Sequence, residues 1–157
     1  MRALRRFVSC MLVVIATSKV HNANRPQSNR EIDAFNQRFL QLIASTDHGG
    51  MLELWANDGV DLMPGDAPLL GKDAISRWLK SIESASPGSR VSTEELQFHD
   101  VRLSGDWASE WATEHQIVRP KGKPPVESYG KLALVLHRGT QGSWKIEQEM
   151  WNDSPQP

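Results

Sequence analysis

Carboxylates set among small residues are where this sequence carries most chemistry. From Trp107 to Val118, one face of an extended chain holds Ala108, Glu110, Ala112, Glu114 and Val118. The other holds Trp107, Ser109, Trp111, Thr113 and Ile117, because alternate strand residues point to opposite sides. Hydrophobicity alone buries the tryptophans and leaves the glutamates wet. If Glu110 instead points inward, an apolar surround raises its pKa. It then becomes the best acid–base candidate, able to move a proton in an isomerisation, cyclisation or dehydration. The competing arrangement is a solvated ladder in which Glu110, Lys131 and Glu149 pair across strands. Unpaired buried carboxylates are rare, and that favours the ladder.

The closing run, Ser143–Asn152, poses a second question. Strict alternation groups Trp144, Ile146, Gln148, Met150 and Asn152 on one face, and Lys145, Glu147, Glu149 and Trp151 on the other. The apolar set should face the interior. Gln148 and Asn152 then point, with Met150, toward the open end of a pocket, where a few placed polar groups are needed. Alternatively Gln148 makes one satisfied hydrogen bond inside a closed core. The five histidines lack metal-ligand spacing, so no metal site is expected. Neither a glycine-rich phosphate loop nor a Gly-x-Ser-x-Gly elbow is present, and no cofactor is expected.

The elements that must hold these residues are legible in order. Ser28 and Glu31 form a capping box, and Ile32, Phe35, Phe39, Leu42 and Ile43 follow at helical spacing, which predicts a helix over Glu31–Ser45. A Gly-Gly break precedes a shorter helix, Met51–Ala56, then a short strand, a Pro-Gly turn and a scrap of strand. A third helix starts near Lys72 with the stripe Ile75, Trp78, Leu79 and Ile82. Four long strands follow, at Ser92–Leu103, Asp106–Val118, Glu127–Arg138 and Ser143–Asn152, each a hairpin partner of the next. Helices first and a meander afterwards predict an α+β domain: three N-terminal helices packed in a strongly curved, mainly antiparallel sheet.

The 157 residues fit one domain, at 28–153, with a short tail at 154–157. A net charge of −1 with no basic stripe gives no sign of nucleic-acid binding. Residues 1–18 place Arg2, Arg5 and Arg6 before a ten-residue apolar block ending in small residues, the layout of a secretory signal. The alternative is a mitochondrial targeting segment, since no acidic residue precedes Glu31. Residues 19–27, polar and with a proline, read as a disordered leader. Cleavage after Ser18 would remove three of the 18 basic residues, leaving 15 against 19 acidic ones, a balance of −4. It would also remove Cys10, the only cysteine, leaving a secreted or periplasmic protein with no membrane attachment and no thiol chemistry.

The segments LWANDGVDLMPGDAPLLGKDAISRWL, SGDWASEW and SWKIEQEMWND together resemble the SnoaL-like, nuclear-transport-factor-2-like superfamily in order and spacing. The resemblance spans about 31–153. It implies a cone: a bent sheet wrapped around a long helix, with a pocket at the open end. It also implies that the small-residue face of 107–118 turns inward, bringing Glu110 and Glu114 inside and leaving the tryptophans outside for a second copy of the chain. Trp55 and Met63 would rim the pocket. Tyr129, the only tyrosine, would have to supply any hydroxyl of the kind steroid isomerases use, and the resemblance supplies no match for those enzymes' strand aspartate. The occupant implied is a small apolar molecule, held without chemistry or turned over by a pocket carboxylate. A homodimerising assembly domain with a vestigial pocket is the third reading.

Overall fold

The computed structural model describes residues 27–156. The expected signal segment and most of the polar leader lie outside the described residues.

Helix α1 (Gln27–Ser45) buries Ile32, Phe35, Phe39 and Leu42, the stripe that the 3.6-residue period puts on one side. It already runs from Gln27, so Ser28 falls within the helix rather than at its cap. Glu31 reaches across to the sheet. Its carboxylate takes the Arg138 guanidinium at 2.8 Å and the Trp144 indole N–H at 3.4 Å, tying the helix to the sheet. Asp47 caps α2 (His48–Leu54), its Oδ1 accepting the Gly50 N–H at 2.9 Å. This helix stops short of the expected Ala56. Trp55 instead opens strand β1 (Trp55–Leu62), because its backbone pairs with the last strand and its indole is buried. Tertiary pairing here overrides local propensity.

The two-residue β2 (Leu69–Leu70) returns antiparallel along β1. Gly71, at φ +77°, then turns the chain into α3 (Lys72–Ala85), which buries Ile75 and Leu79. The long strands are β3 (Arg90–Ser104), β4 (Trp107–Arg119), β5 (Val126–Arg138) and β6 (Trp144–Asp153), within two residues of their expected bounds. They form an antiparallel meander, and β1 adds parallel to β6, giving the order β2-β1-β6-β5-β4-β3. The helices cover the concave face, over a core that includes Leu132, Leu134 and Leu136 of β5 and Ala108 and Ala112 of β4.

Register irregularities shape the sheet, since each adds bend and twist. In β3 one lies between His99 and Arg102, where Asp100 takes φ +48°. Another falls in β6 opposite Val135 and Leu136.

On β4 the small residues face in. Ala108, Glu110 and Ala112 are buried, while Trp107 and Trp111 are 48% and 40% exposed. Burying the indoles would need depth that the covering helices take up. Outside, the indoles lie against imidazoles instead: Trp107 on His137 at 4.3 Å and Trp111 on His99 at 4.2 Å between ring centres.

Candidate functional site

The site is built on a break in alternation. Leu136 pairs with Ile146 and Val135 with Gln148, so Glu147 is an extra residue without a partner on β5. Before it, Trp144 and Ile146 are buried as alternation requires. Beyond it the phase reverses. Gln148 and Asn152 are exposed, as is Met150 at 51%, whereas Glu149 and Trp151 turn inward. The expectation that Gln148, Met150 and Asn152 line the pocket is therefore wrong, and the one-residue bulge is the reason.

Glu149 and Trp151 reach a cavity of about 610 Å³ enclosed by α1, α2, α3 and the wide end of the sheet. Its apolar walls include Phe39, Met51, Met63, Trp55, Trp78 and Trp151. Its polar lining includes four carboxylates, Asp61, Glu83, Glu114 and Glu149. Asp61 on β1 is 3% exposed, its Oδ1 without a hydrogen-bond partner. Asp61 is the register partner of Glu149 on the adjacent parallel strand. Glu114 of β4 also lines the cavity, one carboxylate oxygen accepting the Trp151 indole N–H at 2.6 Å. Gly130 makes that contact fit: a Cβ there would lie 2.8 Å from both Glu114 Oε2 and Trp151 Nε1.

Desolvation moves Asp61 and Glu149 far from their ordinary range. Burial pushes Asp61 up to about 6. It pushes Glu149 up to about 8, and the charges of Asp61 and Glu114 add to the effect. Behind Glu114, Glu94 of β3 is raised to about 8 by burial first, opposed by the 2.6 Å hydrogen bond from Gln116 and reinforced by Glu114. At the mouth are Arg90 and a looser His48–Glu83 pair at 3.8 Å. Among the described residues no group of three His, Cys, Asp or Glu could hold a metal ion.

The sequence-derived candidates divide. Trp55, Met63 and Glu114 line the cavity. Glu110 points inward as the resemblance implied and is 4% exposed, which excludes the solvated ladder with the outward Lys131. It does not line the cavity, however. Its carboxylate lies under α1 and accepts the Asn36 side-chain N–H at 2.8 Å, while burial raises its pKa to about 7. Tyr129 sits on the outer face, stacked on His115 at 4.7 Å, its hydroxyl donating to Glu127 at 3.0 Å. Neither the expected base nor the expected hydroxyl is in the site. The residues missed are Asp61, Glu149 and Trp151. For Asp61 a signal existed, since it interrupts the apolar run Val60-Asp61-Leu62-Met63.

The profile of the SnoaL-like domain matches residues 32–150. The chain belongs to the SnoaL-like family. No functionally curated protein is detectably similar in sequence. Among solved structures, this SnoaL-like chain is similar to a ketosteroid isomerase-like protein from Erwinia carotovora atroseptica. The TM-score is 0.72 at 19% identity, covering 83% of this chain and 100% of that one. An NTF2-like protein with a cystatin-like fold from Novosphingobium aromaticivorans gives 0.61 at 19% identity, over 82% and 83%. A Catenulispora acidiphila protein in complex with S-DNPA gives 0.65 at 16% identity, over 80% and 92%. The α+β cone of this SnoaL-like domain is thus a shared fold, while the arrangement of its pocket acids is read from its own residues.

Proposed function

We propose that this SnoaL-like domain binds a small, largely apolar molecule in its cone and moves a proton on it without a cofactor. One observation carries the reading. Asp61 and Glu149 stand side by side in an apolar cavity with acidities pushed to about 6 and about 8. Paired carboxyls whose environments separate their pKa values divide into base and acid. At neutral pH Asp61 is mainly ionised and Glu149 mainly protonated. Asp61 takes a proton from carbon beside a carbonyl. Glu149 donates a hydrogen bond to the oxygen that becomes negative. Returning that proton from Asp61 to another carbon of the frame isomerises the molecule; giving it instead to a departing β-hydroxyl, which leaves as water, dehydrates it.

The experiment is deuterium exchange into an apolar ketone such as 2-tetralone, followed by NMR. Exchange at the α-carbon should exceed the buffer rate and fall by roughly a hundredfold in Asp61→Asn, the scale of a lost general base. Exchange that never rises above buffer would leave a binding cavity without chemistry.

The same reading takes 1–18 as an export signal, supported by its basic, apolar and small-residue blocks. It takes the Trp107 and Trp111 face as the contact with a second copy, supported by the exposure of both indoles.

A further inference from the structure

We infer that the molecule the cavity accepts is an organic cation: an ammonium group on a body of roughly aromatic size. The inference rests on the same cavity as the acid–base reading and specifies its substrate class.

The charge balance of the walls motivates it. Asp61, Glu149 and Glu114 converge on the cavity from β1, β6 and β4, and Glu94 stands behind them on β3. Arg90 is the only lysine or arginine among the lining residues, and it is exposed at the mouth. His48 on α2 lies near Glu83 of α3 rather than near the inner acids.

Asp61 makes the point most sharply. It is almost wholly buried, it borders the cavity, and its Oδ1 has no donor. A buried carboxylate with neither cation nor donor is among the more unfavourable arrangements a core can hold. Taking up a proton would remove the charge, but the new hydroxyl would still need an acceptor. An ammonium supplies both what the oxygen lacks and the charge the walls lack. The remaining walls suit it too, because Trp55, Trp78 and Trp151 offer indoles, the ring type that attracts cations best. A neutral or anionic ligand of equal shape would leave the carboxylates unanswered or oppose them.

The test compares 2-phenylethylamine with 2-phenylethanol by isothermal titration calorimetry on the full-length protein. The two are matched in shape and both donate hydrogen bonds, and the amine stays charged from about pH 5 to about pH 9. The amine should bind at least about tenfold more tightly near pH 8. Its advantage should shrink toward about pH 5 as the inner acids protonate, and binding near neutral pH should release protons, read from the dependence of the heat on buffer. Asp61→Asn should abolish the preference, the amine losing at least about tenfold more affinity than the alcohol. Should that variant fail to fold, Glu149→Gln should reduce the preference in the same way.

Equal affinities, a preference for the alcohol, a preference independent of pH, or no binding of either probe would each overturn the cation. Binding of the alcohol alone would leave the acid–base reading standing. Conversely, a clear amine preference without ketone exchange would sustain the cation site and end the proton-transfer reading.

Discussion

Asp61 is held in the folded protein at an energetic disadvantage, and that disadvantage has a sign. Its pKa rises from 3.8 to about 6, caused by burial. The folded state therefore holds its proton where the unfolded chain has already lost it. This contribution to stability is full below about pH 4 and is lost as pH rises through about 6. Replacing Asp61 by asparagine removes the charge but keeps the shape. Near pH 8 the variant should be more stable than the parent by about 1 to 3 kcal/mol, with little difference near pH 4. Thermal melts at the two pH values would check this, and a variant less stable at both would mean that an unseen donor satisfies the carboxylate. A residue whose loss stabilises the fold is characteristic of a functional site. Glu110 behaves differently, since its Asn36 partner makes it a strut between helix and sheet.

At the scale of elements, the decisive feature is one unpaired residue in β6. Glu147 reverses the phase of the strand, and with it exchanges Gln148 and Met150 for Glu149 and Trp151 on the cavity side. The neighbouring strand accommodates the change. Between its pairs with Ile146 and Gln148, β1 loops through four residues, ending at Gly59, where a Cβ would meet the Trp55 ring at 2.8 Å. Cysteine labelling reads the phase directly. In a Cys10→Ser background, Gln148→Cys and Met150→Cys should react with a maleimide at least about tenfold faster than Glu149→Cys, since access controls thiol reactivity. The opposite ranking would restore uninterrupted alternation and remove Glu149 from the site.

For the whole molecule, the sheet divides two kinds of environment. Its concave side carries the core and the acidic cavity, and its convex side carries Trp107, Trp111 and three ring stacks that include imidazoles. An aromatic patch left outside usually meets a partner, and here the proposed partner is a second copy of the chain. Sedimentation velocity at micromolar concentration should show a dimer, and Trp111→Glu should shift it to monomer without unfolding it. A monomeric parent would refute the contact. Among the described residues no helix is long and apolar enough to cross a membrane.

The order of elements, the four long strands and the α1 core stripe could be read from the sequence, because periods of 3.6 and 2 are local properties of the chain. The SnoaL-like spacing added the cone. What only the tertiary structure decided was phase and depth. Bulges do not announce themselves in alternation, so alternation alone puts Gln148, Met150 and Asn152 on the wrong face. Depth along a strand is equally silent: Glu110 and Glu114 share one face of β4, yet only Glu114 reaches the cavity. The short strand carrying Asp61 acquires its meaning only by pairing with β6, which places its carboxylate beside Glu149. Acid–base chemistry depends on distances and burial between residues about ninety positions apart, and those exist only once the sheet has closed around the helices.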